Sequence, residues 1–318
     1  MENISDFSEL YILPFGSRPQ DKPFLFSLFL FIYSSGVLVN VVSIAVIYLD
    51  SRLHTPMYLF LCLLSIVDIC YTSAVTPGLL DMLLSAIHQP SPPASWTCCS
   101  LRQCFTQMFF FFTASGAEDI LLFIMAYDRY VAICRPLHYN QILSRKNCFL
   151  ITIALWICGC LNSVLFTTAA SYMSFCRSNT IHQIHCDSSL TKIACTGTEL
   201  FHIVIYLETI VLGLGPLLCS LMSYVEIIKV ILRMKSKDGR RKVFSTCSSH
   251  LTVLLLYYDT AGCVYLMPSK KNVYLLDQIF TALYSTVTPV LNPLIYSLRN
   301  KDFRGALLRL LGVKETVK

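Results

Sequence analysis

The chain reads as an all-α membrane protein, a bundle of seven transmembrane helices with the N-terminus outside the cell and the C-terminus in the cytoplasm. Three observations predict this: long uncharged apolar runs, a scarcity of charge, and a one-sided distribution of Lys and Arg. Of 318 residues, 55% are hydrophobic and 14% are charged, where a soluble domain carries about 25% charged residues. The first run, Phe24 to Leu49, has 26 residues without a charge, and Cys148 to Ala170 has 23. At about 1.5 Å rise per residue, either crosses a hydrocarbon core of about 30 Å.

The other five runs fall at Met57–Leu80, Phe105–Tyr127, Phe201–Ile228, Val243–Met267 and Val273–Leu298. Lipid offers no hydrogen bonds to an irregular backbone, so each span is expected to be helical. The domain reading is therefore an extracellular tail at 1–23, the seven-span domain at 24–298, and a short cytoplasmic tail at 299–318 that starts with an amphipathic helix. No cleavable signal peptide is expected. Glu2, Asp6 and Glu9 make the start acidic, and the first apolar run is too long for a signal core.

Orientation follows from basic residues. With the N-terminus outside, cytoplasmic segments hold 18 Lys/Arg and the other side holds 7. The net charge of +6 thus reports topology, because the cluster Arg233–Lys242 falls in the loop between spans five and six. It suits anionic lipid and a cytoplasmic partner, and no nucleic-acid role is expected. Asn3-Ile4-Ser5 fits an N-glycosylation acceptor on the outer tail.

Topology also sorts the 15 cysteines. Cys98, Cys99, Cys104, Cys176, Cys186 and Cys195 fall where disulfides are permitted. Six cysteines allow 15 pairings, so these residues alone leave connectivity open. At least two bridges are expected, because the loop between spans four and five is about 30 residues long and needs staples to form a lid.

Five acids lie at depth: Asp68, Glu118, Asp119, Glu208 and Asp259. Ionisable residues inside a membrane are costly and mark function. Asp68 lies 11 residues from Met57, and Glu118 lies 11 from Arg129, so both sit about 16 Å above the inner boundary. Two such carboxylates repel unless one is protonated or a cation lies between them. A Na⁺ ion is the natural candidate; a neutral, hydrogen-bonded carboxyl is the alternative. No other cofactor is expected. Phe112 and Asp259 lie about 25 Å above the inner boundary, so an outward-opening ligand chamber could touch both Glu208 and Asp259. Met108, Phe111, Phe112 and Ser115 share one face of span three at i, i+3, i+4, i+7 spacing. The same stripe could equally be interhelix packing.

Four short strings then carry a resemblance. Span three ends in Met125-Ala126-Tyr127-Asp128-Arg129-Tyr130-Val131-Ala132-Ile133-Cys134, followed by Arg135-Pro136-Leu137-His138-Tyr139. The first inner loop reads Leu53-His54-Thr55-Pro56-Met57-Tyr58. Span six opens with Lys242-Val243-Phe244-Ser245-Thr246-Cys247-Ser248-Ser249-His250-Leu251. Span seven ends in Pro289-Val290-Leu291-Asn292-Pro293-Leu294-Ile295-Tyr296-Ser297-Leu298-Arg299-Asn300. Together, over almost the whole chain, these resemble vertebrate olfactory receptors, a branch of the rhodopsin-like G-protein-coupled receptors.

The resemblance implies a receptor, not an enzyme, in the plasma membrane of olfactory cilia. It would bind a small volatile ligand and activate a stimulatory, olfactory-type G protein that raises cyclic AMP. It implies an odorant chamber near Phe112, Ser115, Leu212, Tyr258 and Gly262, and bridges Cys104–Cys186 and Cys176–Cys195. Asp128, Arg129 and Tyr130 would form the G-protein switch with His250. Asp128 can hold the Arg129 guanidinium at rest and release it on activation. Pro293 breaks a backbone bond in span seven that Asn292 or water can satisfy. Tyr296 would move there, with Tyr224 as its partner.

Some residues depart from the family pattern. Val39-Asn40 replaces Gly-Asn, the Cys186-to-Cys195 interval is one residue short, and Cys98 and Cys99 are extra. Asp259 stands where Gly is usual, Glu208 where an apolar residue is usual, and Asp119 where the side chain is uncharged. With Glu208 and Asp259 facing the chamber and no basic counter-charge, an amine ligand is one reading; a neutral ligand is the other. The alternative function is a rhodopsin-like receptor for a non-odorant metabolite outside the nose. A retinal protein would need a Lys in Val273–Leu298, which has none. An intramembrane aspartyl protease would need a Gly-x-Gly-Asp string, also missing. A transporter would more often show internal repeats.

Overall fold

The computed structural model describes residues 9–15, 19–88, 98–176, 180–266 and 274–312. The glycosylation candidate Asn3 lies outside these. Seven long helices form the bundle: α1 (Lys22–Leu49), α2 (Pro56–His88), α3 (Leu101–Cys134), α4 (Arg145–Ser171), α5 (Thr198–Arg233), α6 (Lys237–Leu266), and α7, built from Tyr274–Ala282, Leu283–Val287 and Thr288–Arg299. The first five are long and apolar enough to cross a membrane. A short α8 follows at Lys301–Leu310, with Phe303 and Ala306 buried.

Local sequence explains the helix ends. Ser100 and Gln103 form a reciprocal cap at the start of α3: the Gln103 amide donates to Ser100 Oγ (3.2 Å) and the Ser100 amide to Gln103 Oε1 (3.0 Å). Ser144 caps α4 by accepting from the Asn147 amide. Asn300 caps α8 through the amides of Asp302 and Phe303. Gly197, at φ 77°, turns the chain into α5, a left-handed backbone that glycine adopts without strain.

α5 and α7 each contain a π-helical stretch, Thr209–Leu214 and Leu283–Val287. Each ends two residues before a proline, Pro216 and Pro289. A proline supplies no N–H to the ladder, and the widened turn accommodates that gap.

Of the first five helices α3 is the most enclosed, while α1, α4 and above all α5 leave much of their surface outward. Outward apolar residues such as Phe31 (72% exposed), Leu161 (59%) and Ile210 (60%) form a lipid-facing surface. The protein is therefore a multi-pass membrane protein. The seam between α3 and α4 is tight: a Cβ on Gly159 would lie 2.6 Å from the Thr113 carbonyl oxygen. Thr113 Oγ1 and Ser163 Oγ hydrogen bond across it at 2.6 Å.

One end of the bundle is covered by the α4–α5 loop. Strand β1 (Glu9–Ile12) pairs antiparallel with β2 (Cys98–Ser100) and parallel with β4 (Thr180–Ile181). Strand β3 (Ser174–Phe175) pairs antiparallel with β5 (Ala194–Thr196). The tail is also tied to α7, because the Phe15 amide donates to Gln278 Oε1 (2.6 Å) and Gln278 Nε2 donates to the Leu13 carbonyl (2.9 Å).

Candidate functional site

The looped end carries both disulfides that the resemblance implies, Cys104–Cys186 and Cys176–Cys195, with Cα–Cα distances of 5.5 and 5.9 Å. Cys98 and Cys99 lie on β2. The first bridge pins the loop to α3. There the Cys186 amide donates to Gln107 Oε1 (3.0 Å), while Gln107 Nε2 donates to the Ala74 carbonyl of α2 (3.0 Å).

Beneath the loop, Met108, Phe111, Phe112 and Ser115 are all buried on one face of α3. Phe112 stacks on Phe166 of α4 at 3.9 Å between ring centroids, and Phe166 meets Phe201 of α5 at 5.5 Å. Phe111 lies 5.0 Å from the Tyr71 ring and 4.5 Å from the His185 ring. Leu212, Tyr258 and Gly262 are half-buried. A hydrogen-bond chain runs from Ser115 Oγ to Tyr284 Oη (3.2 Å) and on to Tyr257 Oη (3.1 Å), joining α3, α7 and α6. The Tyr257 hydroxyl also reaches Asp119.

Glu208 is half-buried beside Asn162 of α4 and lies within electrostatic reach of Asp119. Asp259 differs from expectation. The inward face of α6 is set by His250, Val253, Leu254 and Tyr257, all buried at helical spacing. Two positions beyond Tyr257 the helix has turned by about 200°, so Asp259 is exposed, as is Leu255 (58%). Asp259 therefore does not share the inward side with Glu208, as a chamber touching both acids would need.

At mid-bundle, Asp68 and Glu118 do come together. Asn292 Nδ2 donates to Asp68 Oδ1 (3.1 Å) and to Glu118 Oε1 (3.2 Å). All three side chains are at most 1% exposed. Asp68 Oδ2 and Asn292 Oδ1 have no hydrogen-bond partner among the described residues. Because Asn292 is committed to the two acids, it does not repair the break at Pro293. The carbonyl released there belongs to Pro289, four residues earlier, and Asn40 of α1 donates to it (3.2 Å).

At the far end, Arg129 Nε donates to Asp128 Oδ2 at 2.9 Å, and its Nη2 closes the ion pair. Tyr139, in the helical turn Tyr139–Ile142, donates to the other carboxylate oxygen at 2.8 Å. Tyr130 is half-buried. The expected Tyr224–Tyr296 contact is not made in this arrangement. The His250 ring stands between them, hydrogen bonded to Tyr224 through Nδ1 and 6.0 Å from the Tyr296 ring. Arg129, His250 and Tyr296 line one small cavity.

Tyr284, Tyr257, Asn162, Gln107 and His185 join this network without standing out in the sequence. Tyr284 was the most accessible of these, since it lies eight residues before Asn292, about two turns along the same face. Gln107, Asn162 and His185 carry no pattern of their own and matter only through their neighbours.

Comparison with known proteins identifies the family. The family profile described as "Olfactory receptor" matches residues 29–314. The chain is 40% identical over 308 residues to olfactory receptor 1E16 of Mus musculus, covering 96% of this chain and 95% of the relative. It is 41% identical over 312 residues to olfactory receptor 2K2 of Homo sapiens, covering 98% and 96%. Olfactory receptor 1G1 of Gorilla gorilla gorilla is 39% identical over 315 residues, covering 99% and 98%. With a seven-helix bundle, both bridges of the loop and a match over nearly its whole length, this chain belongs to the olfactory-receptor family of G-protein-coupled receptors and is a receptor, not an enzyme.

Proposed function

We propose that this protein is an odorant receptor that holds a small, mostly apolar molecule beneath the α4–α5 loop and activates a stimulatory, olfactory-type G protein, raising cyclic AMP. The looped end, with its disulfides, faces outward, and the Arg129 end and α8 face the cytoplasm. The basic loop around Arg233–Lys242 lies on that cytoplasmic side with anionic lipid and the G protein. The site of action is the plasma membrane, in olfactory cilia, with a glycan on Asn3.

One observation carries the reading: α3 bears three linked layers along one helix. Phe111, Phe112 and Ser115 lie buried beneath the loop where the ligand would sit, Glu118 and Asp119 enter the polar layer, and Asp128–Arg129 close the far end. A ligand that favours one setting of Ser115, Tyr284 and Tyr257 shifts the balance between helix arrangements. The shift reaches Asn292, Tyr296 and Tyr224 through α7 and α6. Release of Arg129 from Asp128 then exposes a guanidinium to the G protein.

Asp68, Glu118 and Asn292 would hold a Na⁺ ion. Their two unpartnered oxygens are hard donors suited to such an ion, which would neutralise the paired acids. The ligand is read as neutral, because Asp259 stands apart from the inward face and leaves Glu208 without the second acid the amine reading used.

The test is a cyclic-AMP reporter in cells with olfactory trafficking machinery, screening neutral odorants against amines, with Arg129→Ala alongside. A response lost in the variant at equal surface expression supports the reading. Silence of the wild type despite surface expression would move the function to another ligand class or G protein.

A further inference from the structure

We infer that His185 of the α4–α5 loop is a specificity-determining residue that hydrogen bonds a neutral oxygen, hydroxyl or carbonyl, of the ligand. This rests on the odorant reading and deepens it.

The ring is wholly buried, and neither Nδ1 nor Nε2 has a hydrogen-bond partner among the described residues. Buried polar groups are rarely left so, and each exception calls for an explanation. The ring lies 4.5 Å from that of Phe111, on the α3 face that lines the chamber. Its backbone is held on both sides. Cys186 is bonded to Cys104 and its amide is held by Gln107, while Gln183 Nε2 donates to Thr281 Oγ1 of α7 at 3.3 Å. The imidazole is thus held, away from water, against Phe111, whose ring in turn meets Tyr71.

A phenylalanine would pack in that place without leaving two polar atoms unpaired. The histidine makes sense if a ligand completes it. Burial lowers its pKa, with nearby Asp187 opposing, so the ring is neutral and offers one donor and one acceptor. The acceptor takes a hydroxyl proton, and the donor meets a carbonyl. Among the described residues, Met108, Phe111, Phe112 and Ser115 of this face offer an anionic ligand no Lys or Arg to pair with, and an ammonium would sit against carboxylates instead.

The test uses the full-length receptor and its His185→Phe and His185→Gln variants at matched surface expression. Probes are straight-chain alcohols, ketones, the alkanes of equal length, and the corresponding amines. His185→Phe should raise the half-maximal concentration for alcohols and ketones about tenfold, the loss of one hydrogen bond, and leave alkanes unchanged. His185→Gln should restore the oxygenated ligands. A shift equal across all probes, or no shift, would overturn the inference. Thermal stabilisation of purified receptor by the same probes reads binding without a G protein. Binding that depends on the oxygen and on His185, without a cyclic-AMP response, would refute only the coupling. Binding indifferent to the oxygen would refute the role of His185.

Discussion

The far end of α3 predicts how tightly the receptor is held silent. Asp128 is 1% exposed and has two carboxylate oxygens to satisfy. One takes Arg129, and the other takes the Tyr139 hydroxyl at 2.8 Å. Burial and the neighbouring Asp128 raise the Tyr139 pKa, so its hydroxyl stays protonated and donating. Tyr139→Phe removes this donor and little else. A hydrogen bond to a charged group contributes about 1.5–3 kcal/mol. Because Tyr139 is half-buried and water can replace part of the bond, the lower figure of about 1.5 kcal/mol applies, or roughly a tenfold shift in equilibrium. If the active arrangement is about 1% populated at rest, it rises to about 10%. The assay is basal cyclic AMP, normalised to surface receptor, without odorant. Tyr139→Phe should raise it close to tenfold, Asp128→Asn should raise it at least as much, and adding Arg129→Ala should return it to silence. Unchanged basal signalling in Tyr139→Phe at equal surface density would refute the lock.

Other consequences can be checked in the same cells. Gly159→Val forces a side chain into the Thr113 carbonyl and should cost about 1–3 kcal/mol, seen as a lower Tm and poor surface delivery. Gly213→Ala, with nothing within 4 Å of its new Cβ, should change neither. Equal behaviour of the two would mean that the α3–α4 seam is not close-packed. Glu208→Gln should leave potency for alcohols and ketones unaltered; a tenfold loss confined to amines would restore the amine reading. His185 makes stability depend on pH. Its folded form resists protonation, so below about 6.5 the unfolded chain takes up the proton first. Thermal stability should therefore fall as pH drops from 7 to 5 and be unaffected above 7, and His185→Phe should flatten that slope.

Much of the bundle was legible because spanning a bilayer is a local demand. A run such as Phe24–Leu49 declares itself by composition, and Pro293 announces a broken ladder by lacking an N–H. The equal depth of Asp68 and Glu118 also followed from counting residues at 1.5 Å each. Their meeting at Asn292 was a matter of rotation as well as depth. Rotation is set by packing between residues far apart in the chain: Asn292 is 224 residues from Asp68, and Asn40 is 249 from Pro289.

The same reason explains where expectation and structure part. Depth placed Asp259 near a chamber, but the buried stripe of His250, Val253, Leu254 and Tyr257 turned it outward. His250 came between Tyr224 and Tyr296 because α6 packs between the helices that carry them. His185 had no periodicity to reveal it, since loop conformation came from two disulfides and a tail strand. The sequence alone determined the seven spans and the depth of each acid, because hydrophobicity and helix rise are properties of single segments. Tertiary structure decided which acids pair, which carbonyl Asn40 rescues and which loop ring meets Phe111, because those depend on how rigid helices turn against one another.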